Sequence, residues 1–180
     1  PIDRLRAIYD EALSHPKVEG IVVGTRPDCV DDHILDYFAE LARRMYVVIE
    51  YGVESCYDDT LAAINRGHDF QCARHAIEAT AARGIHVGAH FILGLPGDTD
   101  EMLIAPAGNI NAMPLDSIKF HQLQIFKGTA MADDWQRDPG KYPSRDMDSY
   151  IDLFIEILIR LRPDIVMERF AGEARPRYHL

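Results

Sequence analysis

The sequence predicts an α/β fold of about five mostly parallel strands with helices on the outer face. Three observations predict it. Apolar residues switch along the chain between short strand-like runs and helical spacing. Strand-like and helical segments alternate, which calls for crossover connections and parallel pairing. Composition is globular: 47% of the 180 residues are hydrophobic and 27% charged, enough for one compact domain over residues 1–180 with a real core. A doubly wound sheet and all or part of a (β/α) barrel both satisfy these observations, although so few strands cannot close an eight-stranded barrel.

The elements follow in order. Leu5, Ile8, Tyr9 and Ala12 lie at helical spacing, with Asp3 as a candidate cap. Ile21-Val22-Val23 is strand-like. Ile34, Leu35, Phe38, Leu41 and Ala42 form a second helical stripe, and Tyr46 to Val53 a second strand. Ser55 and Asp58 have the spacing of a capping box for a short helix ending at Gly67. Asp69 is placed to cap a helix carrying Phe70, Ala73, Ala76, Ile77 and Thr80, with Gly84 just beyond it. Ile85 to Leu93 is a third strand. A helix is expected within 99–112, limited or kinked by Pro106. Ser117 to Ile125 is a strand, and 127–145, with Gly128, Pro139, Gly140 and Pro143, is expected to be loop-rich. Met147, Tyr150, Ile151, Phe154, Leu158 and Leu161 predict a final helix before Pro163, and Ile165 to Phe170 a last strand.

Parity within the strands carries more. Val47, Ile49, Tyr51 and Val53 oppose Val48, Glu50, Gly52 and Glu54; Val87, Ala89, Phe91 and Leu93 oppose His86, Gly88, His90, Ile92 and Gly94. Ile118 and Phe120 oppose Lys119, His121 and Leu123, and Ile21 and Val23 oppose Gly20, Val22, Gly24 and Arg26. Strands covered by helices on both faces are apolar on both. Here one face holds glycines and ionisable groups, and glycine makes room. That face is read as the lining of a polar cavity, the alternative being the solvated face of an open antiparallel sheet.

Charge and cysteines narrow the partners. Nineteen Lys and Arg against 29 Asp and Glu give a net charge of −10, which argues against nucleic acid. No apolar run approaches the roughly 20 residues of a membrane helix, and the opening Pro-Ile-Asp-Arg-Leu lacks the pattern of a signal peptide. Three widely spaced cysteines, Cys29, Cys56 and Cys72, match neither a disulfide framework nor a close-set metal motif. They suit a reducing compartment, so the protein is expected in the cytoplasm. Metal bound by protein side chains is not expected: His86 and His90, four apart on one strand, are about 13 Å apart by rise alone. His90 and His121 on neighbouring strands could share an ion.

The strand ends carry a resemblance. Gly24-Thr25-Arg26-Pro27-Asp28-Cys29, Ile49-Glu50-Tyr51-Gly52-Val53-Glu54-Ser55, Ile64-Asn65-Arg66-Gly67-His68-Asp69 and His90-Phe91-Ile92-Leu93-Gly94-Leu95-Pro96-Gly97-Asp98-Thr99, in that order and spacing, resemble radical SAM enzymes. The likeness is closest to the uncharacterised YhcC-like Fe–S oxidoreductases. It is more distant to oxygen-independent coproporphyrinogen III oxidase and the Elongator catalytic subunit. It covers most of 1–172 and implies a partial (β/α), TIM-like barrel. It also implies a [4Fe–4S] cluster that cleaves S-adenosylmethionine to a 5′-deoxyadenosyl radical. The family's Cys-x3-Cys-x2-Cys cluster loop has no match here, so the chain is expected to be the C-terminal part of a longer radical SAM core, inactive alone. By the resemblance, Arg66 clamps the methionine carboxylate, and Glu54 stands where relatives often carry Gln at the ribose or methionine end. His90 lies near the ribose, Ile92 under adenine, and Leu123 at the adenine edge. Ser55, at the start of the following helix, is the candidate for favouring an anion. Arg26, Asp28, Glu50 and His121 are candidates for the substrate side. The expected ligands are S-adenosylmethionine and a small-molecule substrate. Loss of an upstream neighbour would leave residues 20–24 as an open edge prone to homodimerisation. Two other functions fit the same residues: a non-catalytic small-ligand-binding half-barrel, and a metal-dependent lyase or hydrolase using His90 and His121.

Overall fold

The computed structural model describes residues 2–172. A five-stranded sheet in the order β1-β2-β3-β4-β5 forms its centre: β1 Gly20–Thr25, β2 Tyr46–Glu54, β3 His86–Leu93, β4 Ser117–Gln122 and β5 Val166–Arg169. Every neighbouring pair is parallel. Sequential order with parallel pairing is what successive crossovers in one direction produce. It excludes both the antiparallel alternative and a doubly wound sheet, in which strand order reverses.

α1 Ile2–Leu13 precedes β1, and the crossovers run through α2 Asp32–Ala42, α3 Asp58–Ala63, α4 Phe70–Ala81, α5 Asp100–Ile104, α6 Ala107–Ala112, α7 Ala130–Arg137 and α8 Met147–Leu158. The apolar strand face packs against them. Val47, Ile49, Tyr51, Val53, Val87, Ala89, Phe91, Ile118 and Phe120 join Leu35, Phe38, Leu41, Ala73, Ile77, Phe154 and Ile157 in one buried cluster. The predicted parity holds: Glu50, Gly52, Gly88 and His90 share the opposite face. Among them a Cβ at Gly88 would lie 3.0 Å from Glu50 Cγ and from Ser117 Oγ, so glycine there leaves room for the Glu50 side chain.

Some of the start and stop signals form as expected, although the short helix expected to end at Gly67 stops at Ala63. Asp69 Oδ1 accepts from Cys72 N at 2.7 Å and opens α4. Pro106 divides the 99–112 segment into α5 and α6. Three expectations are corrected. Asp3 lies inside α1 and does not cap it. The Ser55–Asp58 capping box does not form: α3 is preceded by Tyr57, without a side-chain cap, and Ser55 Oγ instead accepts from Tyr57 N at 3.2 Å. The supposed loop at 127–145 contains α7, capped by Thr129, whose hydroxyl accepts from Ala132 N. Glycines and prolines on both sides hide that helix, and Ala132 is its one buried residue.

Candidate functional site

The site is built where β2 ends. A bulge between Gly52 and Glu54 shifts the register against β3, and Glu54 adopts φ 69°, a left-handed conformation that costs a non-glycine residue energy. Asn65, at φ 55°, and Gly67 turn the chain back after α3. Together these turns bring Arg66 onto β2. Its Nη2 donates to the Gly52 carbonyl at 2.8 Å and pairs with Glu54 Oε1 at 3.1 Å, while its Nε donates to His68 Nε2 at 3.1 Å. Arg66 thus does not serve the last carbonyls of its own helix. Gly52 makes the approach feasible, since a Cβ there would fall 2.5 Å from both Arg66 Nη2 and Glu54 Oε1. Burial pushes the Glu54 carboxyl above its ordinary pKa, and the Arg66 charge only partly offsets it.

Below this pair on the same face lies a second group. His90, which pairs with Gly52 in register, donates from Nε2 to Glu50 Oε2 at 2.9 Å. Lys119 Nζ donates to Glu50 Oε1 at 2.5 Å and pairs with Glu168 at 3.2 Å. Burial alone would raise the Glu50 pKa; hydrogen bonds from Lys119 and His90 outweigh it and hold the carboxyl below its ordinary value. The His121 ring lies 5.6 Å from that of His90. Burial, then the charges of His90, Arg169 and Lys119, lower its pKa. The chain after β5 folds over this end of the sheet: Gly172 N donates to Gln122 Oε1 at 2.8 Å, and its carbonyl accepts from Gln122 and Gln124 at 2.7 Å each.

The expected site residues are brought together unevenly. Arg66, Glu54, His90, Glu50 and His121 gather as described. Glu54, Ser55 and Ile92 border a small cavity of about 30 Å³ beside Asp98. Leu123, whose N–H donates to the Leu93 carbonyl at 2.8 Å, borders a different cavity of about 370 Å³ with Gln122, Arg145 and Tyr150. Arg26 and Asp28 flank the turn that carries Arg66: Arg26 Nε donates to Asp28 Oδ1 at 2.9 Å, a Cβ at Gly67 would lie 3.2 Å from Arg26 Nη2, and Asp28 lines a surface cleft with His68, Asp69 and Cys72. A single hollow lined by all of these residues is therefore not present among the described residues, because β1 and β5 leave the sheet open at both sides.

Three residues went unmarked as site candidates. Lys119 and Glu168 complete the Glu50 group; strand parity placed Lys119 on this face, but its pairing needed the register of β2, β3 and β4. Asp98 closes the Gly94–Gly97 turn, accepting from Leu95 N at 2.9 Å. Burial lifts its pKa to about 6 against the opposing hydrogen bonds from Leu95, Gly94 and Thr60.

The donor set fits S-adenosylmethionine: a guanidinium for a carboxylate, a carboxylate for an ammonium, an imidazole for ribose hydroxyls and Ile92 for a flat base. An iron–sulfur cluster does not fit these residues. Cys29, Cys56 and Cys72 stand in separate segments, and no group of three His, Cys, Asp or Glu among the described residues is placed to hold a metal. The same finding leaves His90 and His121 without a third ligand, so a His-ligated lyase or hydrolase is not favoured.

Comparison with known proteins agrees with the fold. The Radical SAM superfamily model matches residues 2–105, and the Radical_SAM C-terminal domain model matches residues 115–180. Protein YhcC of Escherichia coli is 35% identical over 172 residues, which are 95% of this chain and 55% of that protein. The chain thus spans about half the length of the curated relatives it matches. Among solved structures, the archaeal Methanocaldococcus infernus Elp3 matches with a TM-score of 0.73 at 22% identity, covering 90% of this chain and 38% of that one. Coproporphyrinogen III oxidase (HemN) from Escherichia coli, described as a radical SAM enzyme, matches at 0.62 and 17% identity over 88% of this chain and 34% of that one. The five parallel strands are therefore those of a partial barrel, and the chain belongs to the radical SAM superfamily.

Proposed function

We propose that this chain forms part of the S-adenosylmethionine and substrate cavity of a radical SAM oxidoreductase. The observation that carries the reading is the gathering of Arg66, Glu54, His90 and Glu50 on one sheet face near the carboxyl end of β2, where parallel α/β folds collect ligands. Arg66 would hold the methionine carboxylate, and Glu54 the amino group or ribose. His90 would meet the ribose, Ile92 the adenine face, and the Leu123 backbone its edge. Ser55, buried beside Glu54, lines the same end of the site. When bound beside a reduced cluster, the cofactor supplies a carbon-centred radical able to take hydrogen from a substrate. This chain's residues bind, orient and exclude water. The [4Fe–4S] cluster would be held by sequence outside these 180 residues, since the three cysteines present do not fit it.

The substrate is a small molecule approaching from the Glu50, Lys119 and His121 side. We place the protein in the cytoplasm, where unpaired cysteines persist; no helix among the described residues is long and apolar enough to cross a membrane. The β1 edge pairs with another strand, in the whole protein or in a second copy.

The test is anaerobic reconstitution of the whole protein with iron and sulfide, followed by reduction with S-adenosylmethionine present. Iron uptake near four per chain and release of methionine support the reading. Arg66→Ala should weaken S-adenosylhomocysteine binding at least tenfold, about the worth of a charge-assisted hydrogen bond. A whole protein that takes up no iron, or an Arg66→Ala variant that binds as the wild type does, overturns it.

A further inference from the structure

We propose that Glu50 is a positioning residue that fixes the proton of His90 on Nε2 and so presents Nδ1 as a hydrogen-bond acceptor for a ribose hydroxyl. The inference rests on the cofactor site proposed above and adds a residue and a protonation state to it. Glu50 is ionised, held so by Lys119 and His90, and an ionised carboxylate only accepts. Its Oε2 lies 2.9 Å from His90 Nε2, so that nitrogen carries the hydrogen. In the neutral ring the lone pair is then on Nδ1. Nδ1 has no hydrogen-bond partner among the described residues, while the His90 side chain keeps 27% of its surface open. The vicinal hydroxyls of a ribose are donors, and a fixed acceptor suits them.

Lys119 explains why a carboxylate is required. It occupies the other oxygen of Glu50 at 2.5 Å and is itself braced by Glu168 at 3.2 Å. In a Glu50→Gln variant, Lys119 would claim the amide oxygen and turn the amide N–H toward His90. Nε2 would then have to accept, and the hydrogen would move to Nδ1, which could no longer receive a ribose hydroxyl. His121 and Arg169 also face this group from β4 and β5, but neither touches Glu50.

The experiment has two readouts on the full chain with ¹⁵N-labelled histidine. The first is the long-range ¹H–¹⁵N pattern of His90 at a pH where the ring is neutral. The second is calorimetric affinity for S-adenosylhomocysteine against its 2′,3′-dideoxy analogue. The wild type should show hydrogen on Nε2 and prefer the diol by roughly five- to tenfold, the worth of one hydrogen bond. Glu50→Gln should move the hydrogen to Nδ1 and abolish the preference. His90→Phe, which keeps the ring volume and leaves the Glu50–Lys119 pair intact, should abolish the preference as well and decides the case if Glu50→Gln fails to fold. A wild-type ring with hydrogen on Nδ1, or a preference that survives either variant, overturns the proposal while leaving the cofactor site standing. A wild type that binds neither ligand overturns the ribose role together with the cofactor reading, and the ring spectrum separates the two failures.

Discussion

Gly52 shows how a single missing methyl group makes the candidate site. A Cβ there would press on the ends of Arg66 and Glu54, both flexible, and not on backbone. Gly52→Ala should therefore leave the fold nearly as stable, within about 1.5 kcal/mol by urea denaturation. It should displace the ion pair and weaken S-adenosylhomocysteine binding several-fold; unchanged affinity would place the ligand elsewhere. Asp98 provides a test at the same scale. Its folded pKa of about 6 lies above that of an unfolded aspartate, about 4. Below that lower value the carboxyl is neutral in both states. As the pH rises through about 6, the folded protein must hold a buried charge that the unfolded chain solvates freely. The stability of the wild type relative to Asp98→Asn should thus fall by roughly 2 kcal/mol between pH 4 and pH 7. A flat difference across that range would mean that the carboxyl is already ionised at the acid end. These positions were only partly legible beforehand. Gly52 and Asp98 lie in motifs visible in the sequence, but the close approach and the burial that give them their roles come from other segments.

At the scale of elements, β2 and α4 are latched by a buried chain of hydroxyls. Tyr51 OH and Thr80 Oγ1 are 2.7 Å apart, and Thr80 in turn donates to the Ala76 carbonyl at 2.7 Å. Thr80→Val leaves the Tyr51 hydroxyl buried without its acceptor and should cost about 1–3 kcal/mol in thermal or urea unfolding. Adding Tyr51→Phe should recover much of that loss, because no polar group then remains unpaired; a double variant as weak as the single would assign the cost to packing. Asp69→Ala removes the α4 cap and should cost about 1 kcal/mol by the same measurement. The cap that formed as read, Asp69, is local: its side chain and the Cys72 amide lie three residues apart. The Ser55–Asp58 box failed because β2 runs on through a bulge to Glu54, which delays the start of α3 to Asp58 and leaves Ser55 outside the helix.

For the whole molecule, the open sides of the sheet are the main consequence of the architecture. β1 has β2 on one side and no strand among the described residues on the other, and Val22 there is 56% exposed. The chain is expected to associate through this edge, and Val22→Lys should shift it toward monomer in sedimentation velocity; a wild type that sediments as a monomer at all concentrations removes the edge from consideration. The same openness explains why the expected hollow is divided. Ile92 and Leu123 border different cavities, since among the described residues no strands beyond β1 and β5 bring the two sides of the sheet together. The sequence by itself determined the order of the strands and of the helices other than α7, the face that the residues of β1 to β4 take and the superfamily, because periodicity and strand-end motifs are written in neighbouring residues. Only the tertiary structure decided that Arg66 closes on Glu54, that Glu50 is shared by His90 and Lys119, and that Asp28 shares a cleft with His68 beside the Arg66 turn. Those pairings depend on register and crossover between segments up to 69 residues apart, and no local pattern encodes that.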